Sequence, residues 1–387
     1  MRRIAWAVGL LLASPGSAGS PSEAGVLPAP PQAIAAIPVS LLVDQGSGQA
    51  LHARQPDLRF VPASMTKVMT VYVAFELIAR GKLDPARSFT VRPETAAAWV
   101  GKGSSMNLRS GESVPLDALL HGITTVSAND ASVVLAEGAA GSVAGWSALM
   151  NGAAAQLHMT NSHFATPNGW PDNGATYVSA RDLVRLGDAL ITRHPELYHR
   201  YFGRRQFTWN GITQQNHDPT SGIIPGADGI KTGHTDEAGY NFLGSAQRGN
   251  RRLLMVIGGA NSNVERMAAS RALLEWGYTA WQDRPLFAPG ALVGEARVQG
   301  GDARHVGLLA PHTISATLPR AAGKVTGLRI VYQGPLRAPL AKGTQVAELE
   351  IRVEGLPPSR VPLVSAQAVG KAGPLDRLRN GLMSLFS

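Results

Sequence analysis

A long apolar segment near the start of the chain constrains the fold most strongly. Between Val68 and Ile78, only Thr70 and Glu76 clearly interrupt the apolar residues. A helix that is apolar on all sides is typical of the interior of a domain rather than of its surface. Pro62 precedes the segment and Gly81 follows it, as is common at helix ends. The sequence therefore predicts a buried central helix.

Two residues at the start of this helix have the spacing of a nucleophile and a base. Ser64 and Lys67 are three positions apart, so a helix places them on one face. A charged lysine is costly to bury, and a low dielectric favours loss of its proton. The neutral amine can then deprotonate a serine hydroxyl, which makes the pair a candidate for nucleophilic chemistry.

Composition excludes several other kinds of site. The chain has 387 residues, enough for one large domain and a smaller one, and no cysteine, which excludes disulfides and thiolate chemistry. The formal charge of +9 indicates either attraction to anionic surfaces or a lineage rich in arginine. Because the basic residues are scattered, nucleic-acid binding is not favoured. The histidines form no H-E-x-x-H motif, and we predict no metal and no cofactor.

The N-terminus has the pattern of an export signal. Residues 1–18 combine Arg2 and Arg3 with a short apolar run and small residues, which predicts a signal peptide cleaved after Ala18. An uncleaved anchor is less favoured because the apolar run is too short to span a bilayer. Residues 19–36 are rich in proline and alanine and are predicted to be an extended lead-in.

The patterning of the remaining chain changes near residue 285. Strand signals at both ends of 37–282, with helices between them, predict an α/β (α+β) domain with a mainly antiparallel central sheet. In 285–366 the apolar residues alternate at every second position, which predicts a small all-β domain. Residues 371–387 form an amphipathic helical pattern, predicted to lie on a membrane; the alternative is docking on the β-domain or a partner.

Two further motifs add polar groups to the serine–lysine pair. S-x-N occurs twice, at 105–107 and at 127–129, and we select 127–129 because it lies in a short loop between apolar helices. The sequence Lys231-Thr232-Gly233 lies on a predicted strand, where the glycine allows another backbone to approach closely. The set S-x-x-K, S-x-N and K-T-G, in this order, is typical of penicillin-binding proteins and class A β-lactamases.

With these motifs in place, the chain resembles the D-alanyl-D-alanine carboxypeptidases of the low-molecular-mass penicillin-binding protein family. The resemblance covers nearly the whole chain and is carried by PASMTKVMT, by the SAND loop and above all by GADGIKTGHTDEAGYNFLGSA. It implies a serine D,D-peptidase domain, a β-domain and a terminal membrane-binding helix. It also implies a peripheral location on the periplasmic face of the inner membrane.

The resemblance also implies a role for each motif residue. Ser64 would be the acylated nucleophile and Lys67 its general base; Ser127 would relay a proton and Asn129 would hold the substrate amide. The remaining members of the implied substrate site are Lys231, Thr232, Gly233, His234 and Arg266, the last without a sharp motif around it. Backbone N–H groups of Ser64 and His234 would form the oxyanion hole.

The implied reaction removes the terminal D-alanine from peptidoglycan stem pentapeptides, and β-lactams would trap the nucleophile. One alternative is a D,D-endopeptidase that cuts cross-links. Another is a serine β-lactamase, but class A enzymes use a glutamate between S-x-N and K-T-G, and none occurs between Glu137 and Glu196. Asp172 and Asp182 remain in that interval, so the sequence does not close this alternative.

The predicted anchor has a direct test. Deletion of residues 374–387 should release an active protein into the soluble fraction, because the apolar helix face would be lost. Fractionation of membranes after expression of both forms measures this release. Membrane association that survives the deletion would contradict the prediction.

Overall fold

The computed structural model describes residues 27–321 and 323–373. The predicted signal peptide and residues 374–387 of the predicted amphipathic helix lie outside this range. The chain divides into two units by its contacts. The first comprises Pro30–Val43 and Leu51–Gly277, and the second comprises the described residues of 27–29, Asp44–Ala50 and 278–373.

Between residue 27 and the β-domain, the described chain has nine strands and eight α-helices. The strands are β1 (Val39–Asp44), β2 (Gln49–Arg54), β3 (Ser88–Thr90), β4 (Ser113–Pro115), β5 (Gln206–Trp209), β6 (Ile212–Gln215), β7 (Ala227–Thr235), β8 (Gly239–Arg248) and β9 (Arg251–Ala260). The helices are α1 (Thr66–Ala79), α2 (Pro93–Trp99), α3 (Leu116–Thr125), α4 (Asn129–Ala140), α5 (Val143–Gln156), α6 (Ala180–Arg193), α7 (Pro195–Tyr201) and α8 (Asn263–Thr279).

One sheet organises the first unit. Its strand order is β2-β1-β9-β8-β7, with antiparallel pairing of β7 with β8 and of β8 with β9. The middle residues of β8 and β9 are buried without alternation, as expected for strands that are covered on both faces. The predicted α/β domain with a central antiparallel sheet is confirmed, and β7 is an edge strand of that sheet.

Helix α1 is the buried central helix that its apolar pattern predicts. Every residue from Thr66 to Phe75 is buried. A 3₁₀ turn at Ala63–Met65 precedes the helix and carries Ser64. At the other end Gly81 has φ of 65°, and its N–H donates to the Ile78 carbonyl at 2.9 Å, so a glycine ends the helix as predicted.

The S-x-N loop is shorter than the sequence pattern predicts. We expected Asn129 and Asp130 in the loop, but α4 begins at Asn129. Asp130 accepts the N–H of Ala131 at 2.8 Å, and a carboxylate is favourable in the first turn of a helix. Helices α2 and α7, of seven residues each, were not predicted, because so short an apolar pattern carries little periodicity.

Within 27–321 and 323–373, no single helix has the length and apolar composition to cross a membrane; α4 and α5 meet these criteria only as a pair bent by 88°.

The second unit is the predicted all-β domain. Its strands are β10 (Trp281–Phe287), β11 (Leu292–Gln299), β12 (His305–Leu309), β13 (Ile314–Pro319), β14 (Val325–Val331), β15 (Leu336–Arg337), β16 (Gln345–Val353) and β17 (Ser359–Ser365). A six-stranded sheet has the order β14-β16-β17-β12-β11-β15, and β10 pairs with β13.

Apolar residues at every second position of β16 contribute to the core of this unit. Leu349, Ile351 and Val353 are buried in a common apolar cluster. The intervening Glu350 is also only 4% exposed, because the guanidinium groups of Arg352 and Arg360 contact its carboxylate at 2.9 and 3.0 Å. These arginines lower the pKa of Glu350 against the opposing effect of its burial.

Candidate active site

A cleft of about 440 Å³ in the first unit contains most of the predicted site residues. Those that line it are Ser64, Ser127, Asn129, Thr232, Gly233, His234 and Arg266. The two predicted lysines are buried at 1% and 5% exposure and are not among the lining residues. The structure therefore brings residues that are far apart in the sequence to one cleft, with two amines buried next to it.

The amine of Lys67 lies at the floor of the cleft among three oxygen atoms. Its Nζ is 2.8 Å from Ser64 Oγ, 2.8 Å from Asn129 Oδ1 and 2.7 Å from the Asn168 carbonyl oxygen. Burial, and then the positive charge of Lys231, hold the pKa of Lys67 well below its usual range. The neutral amine is therefore favoured next to the serine hydroxyl.

The segment from Pro167 to Gly169 forms one side of this floor, and sequence reasoning did not assign it to the site. Thr70 of α1 donates to the Pro167 carbonyl at 2.6 Å, one helical turn beyond the contact of Lys67 with Asn168. Gly169 has φ of +72°, and a Cβ at this position would collide with the carbonyl oxygen of Ala63. Only glycine fits this close approach without strain.

Asn129 and Asp130 fix the opposite side through the first turn of α4. The Asn129 N–H donates to the Ser104 carbonyl at 2.8 Å, and its Nδ2 donates to the Lys102 carbonyl at 3.1 Å. The buried carboxylate of Asp130 accepts from Ser105 Oγ at 2.6 Å and from the backbone N–H groups of Met106 and Leu108.

The carboxylate of Asp130 explains why the S-x-N motif at 105–107 is not part of the cleft. Because Ser105 is bound to Asp130 and does not line the cleft, residues 105–107 form a structural loop. Ser127, by contrast, lines the cleft and has φ of 64°, a conformation that non-glycine residues adopt rarely and often at functional sites. Of the two motifs, the structure places only 127–129 in the cleft.

The edge strand β7 forms the wall beside the 3₁₀ turn of Ser64. A Cβ at Gly233 would collide with the Pro62 carbonyl oxygen and would lie 3.2 Å from the Met65 nitrogen. The glycine therefore allows the strand to pass directly against the turn. The outer edge of β7 has no strand partner in the described sheet.

Two basic side chains belong to the same wall: Lys231 is buried behind it and Arg266 lines it. Burial, and then the charge of Arg266, lower the pKa of Lys231 to about 7; burial lowers the pKa of Arg266 to about 10. Asp218 opposes both shifts. The Arg266 guanidinium donates to Asn263 Oδ1 at 2.5 Å and lies 5.7 Å from the Tyr240 ring centroid. Two positive groups therefore face a single nearby carboxylate.

Several lining residues were missed by sequence reasoning: Gly103, Ser104, Gly169, Trp170, His217, Thr235, Tyr240 and Asn263. Tyr240 stacks on the His234 ring with a centroid distance of 3.9 Å, and Trp170 meets Trp99 edge to face at 5.3 Å. Tyr240 lies in the stretch GADGIKTGHTDEAGYNFLGSA around K-T-G, so its place in the site could have been predicted from that stretch. Trp170 and His217 lie in turn-rich segments without a motif.

No carboxylate is among the residues that line the described cleft. Asp172 accepts the N–H and hydroxyl of Thr176, and Asp182 accepts the N–H of Asn161 at 2.8 Å and the hydroxyl of Ser162 at 2.9 Å. Both candidates for a β-lactamase-type base therefore have structural partners elsewhere. Over the described residues there is also no group of three or more His, Asp or Glu arranged to hold a metal ion.

Comparison with known proteins identifies the family. Residues 26–262 match the peptidase S11 family, described as D-alanyl-D-alanine carboxypeptidase. The chain belongs to the D-alanyl-D-alanine carboxypeptidase family. Residues 281–371 match the C-terminal domain of penicillin-binding protein 5. The predicted family, enzyme class and general function, a serine-type D-alanyl-D-alanine carboxypeptidase that binds penicillin, are thereby confirmed.

Individual members of this family resemble the chain over most of its length. The D-alanyl-D-alanine carboxypeptidase DacD of Salmonella typhimurium is 36% identical over 348 residues, which is 87% of each chain. Penicillin-binding protein 5 from Haemophilus influenzae, at 33% identity and a TM-score of 0.72, covers 90% of this chain and 100% of its own. An ampicillin-bound penicillin-binding protein D2 from Listeria monocytogenes, at 27% identity and a TM-score of 0.57, covers 63% of this chain and 97% of its own.

The contact at Gly169 generates a prediction for this family member. Gly169→Ala should slow acylation by penicillin about 100-fold, because displacement of the 167–169 segment moves the carbonyl that binds Lys67. Gly152→Ala in α5 is the matched control, since a Cβ there meets no atom within 4 Å. Stopped-flow acylation rates, with circular dichroism to check folding, measure the effect. An unchanged rate in folded Gly169→Ala would contradict the proposed importance of this contact.

Proposed function

We propose that the protein removes the terminal D-alanine of peptidoglycan stem pentapeptides through an acyl-enzyme on Ser64. The observation that carries this proposal is the 2.8 Å contact between Lys67 Nζ and Ser64 Oγ in the cleft. The serine oxygen would attack the carbonyl carbon between the two D-alanines. The C–N bond would then break, D-alanine would leave, and water would release the shortened peptide from the serine.

The oxygen atoms around Lys67 support its role as the general base. A neutral amine has two N–H groups and one lone pair. The Asn129 side-chain oxygen and the Asn168 carbonyl can only accept, so they take the two N–H groups. The lone pair then faces Ser64 Oγ, which is the one group of the three that has a proton to give.

The other predicted roles fit the positions of the remaining residues. Ser127 lines the same cleft as Ser64 and would return the proton from Lys67 to the departing amine. Backbone N–H groups of Ser64 and His234 would bind the oxyanion, since Gly233 lets β7 approach the turn that precedes α1. The unpaired edge of β7 would hold the extended peptide by β-augmentation.

The cationic wall would bind the C-terminal carboxylate of the peptide. Thr232 lines the cleft there, and the buried Lys231 and Arg266 supply positive charge that the carboxylate of Asp218 opposes. A carboxypeptidase uses this recognition because its substrate has a free carboxylate next to the scissile bond. β-Lactams carry a comparable carboxylate and would acylate the same serine.

No carboxylate lines the cleft that the described residues form, which favours a carboxypeptidase over a β-lactamase. Without an Asp or Glu in the cleft to activate water, a bound β-lactam should be released slowly. We further propose that the protein is exported and lies peripherally on the periplasmic face of the inner membrane. This rests on the sequence patterns of 1–18 and 371–387.

A direct assay separates carboxypeptidase from endopeptidase activity. The full chain should release free D-alanine from monomeric pentapeptide and leave cross-linked muropeptides uncut, as measured by chromatography of the products. Preferential cleavage of cross-links would favour the endopeptidase alternative.

The nucleophile can be identified by mass spectrometry. After reaction with penicillin G, intact protein should gain one penicillin mass, and peptide mapping should place it on Ser64. Ser64→Ala should lose the adduct entirely, while the matched Ser105→Ala variant should retain it. Persistent labelling of folded Ser64→Ala would remove Ser64 as the nucleophile, and an adduct that decays within seconds would favour a β-lactamase.

The pH dependence of acylation tests the influence of Lys231 on Lys67. Acylation requires neutral Lys67, so its rate should fall as the pH drops through the lowered pKa of that amine. Lys231→Gln removes the nearby positive charge, raises the pKa of Lys67 and should move this acid limb to higher pH. Lys231→Arg keeps the charge and should leave the limb in place. An acid limb that does not shift in Lys231→Gln would exclude an electrostatic effect of Lys231 on the pKa of Lys67.

A further inference from the structure

His217 is a titratable group of the cleft for which the proposed mechanism has no use. It lies at the start of the turn-rich segment between β6 and β7 and lines the cleft together with Thr232 and Arg266. No hydrogen bond to its imidazole is present within the part of the chain that the structure describes. The ring is therefore available to a ligand in the cleft.

The charges around His217 favour an anionic ligand. Lys231 on β7 and Arg266 on α8 both act on the imidazole; partial desolvation, and then these two charges, lower the pKa of His217. The neighbouring Asp218 is the carboxylate on the same segment. His234 and Tyr240 are the other titratable side chains of this wall.

Asp218 is already committed to its own turn. It accepts the N–H and the hydroxyl of Thr220, each at 2.7 Å, and the N–H and hydroxyl of Ser221 at 3.2 and 2.5 Å. A carboxylate with four donors is held in place and cannot turn fully toward the cations. Positive charge therefore remains in excess at the wall before a substrate arrives.

We propose that His217 is a specificity-determining residue that contacts the terminal carboxylate of the substrate and takes up a proton when that carboxylate binds. This inference rests on the carboxylate site of the proposed function. Its chemical basis is the difference in charge between the cleft without a substrate and the cleft with a bound carboxylate. In the empty cleft, a proton on His217 would add a third positive charge beside Lys231 and Arg266. A bound carboxylate offsets that repulsion and accepts a hydrogen bond from the imidazolium.

The sign of the pH effect follows from this linkage. Carboxylate binding raises the pKa of His217 from its lowered free value, so protons are taken up on binding. Affinity for the peptide therefore increases as the pH falls through the pKa of the complex and levels off below the pKa of the free enzyme. Lys231, with a pKa of about 7, adds a tightening of its own over the same range.

Binding measured without turnover isolates this effect. In the full chain carrying Ser64→Ala, isothermal titration calorimetry gives the Kd of a blocked tripeptide ending in D-Ala-D-Ala at pH 8.0 and pH 5.0. Three proteins are compared in this Ser64→Ala background: the one that keeps His217, His217→Gln and His217→Arg. The tightening between the two pH values should be about fivefold larger with His217 than with glutamine, which corresponds to about 1 kcal/mol, as for an ion pair in contact with solvent. His217→Arg should bind tightly already at pH 8.0.

Two outcomes would overturn the proposal. The first is the same Kd ratio for the parent with His217 and for His217→Gln, which would assign the whole pH effect to groups other than His217, such as Lys231. The second is an equal His217-dependent tightening for the same tripeptide as its terminal amide, which would remove the carboxylate as the partner. Penicillin adducts on Ser64 in the parent protein report on the proposed function separately, so the two ideas fail independently.

Discussion

The burial of one amine among oxygen atoms is the constraint on which the rest of the site depends. Lys67 is 1% exposed, yet its Nζ contacts a serine hydroxyl, a side-chain amide oxygen and a backbone carbonyl. An unpaired polar group so deep in a protein would be strongly destabilising. The contacts remove that cost and at the same time orient the amine. The helix that carries Lys67 must therefore be buried, and the groups that surround it must come from elsewhere in the chain.

Two glycines make those approaches possible. Gly169 brings the 167–169 segment against the turn of Ser64 from one side, and Gly233 brings β7 against it from another. Each lies where a single methyl group would collide with backbone, which is harder to displace than a flexible side chain. The chain thus positions its reactive groups by close backbone packing around one short turn. Side-chain hydrogen bonds from α4 complete the arrangement.

Much of this architecture can be predicted from the sequence, and the remaining features escape prediction for identifiable physical reasons. Helix α1 is predictable because it is apolar on all sides, and β16 because its apolar residues alternate. Asn168 escapes prediction because it acts through a backbone carbonyl, which every residue type possesses. His217 escapes because its neighbours on β7 and α8 are distant in sequence. Short helices such as α7 depend on tertiary packing more than on their own propensity.

Asp130 has a consequence for how mutations in this family member are interpreted. Its carboxylate touches no substrate-facing atom, yet it ties residues 105–108 to the helix turn that begins with Asn129. In a genetic screen for loss of activity, its replacement would be scored beside that of the nucleophile. The defect would nevertheless be indirect, since residues 105–108 would lose their anchor and Lys67 would lose a charge that raises its pKa, while every reacting group remained. Phenotype alone would therefore count Asp130, which follows the S-x-N motif directly, among the reacting residues.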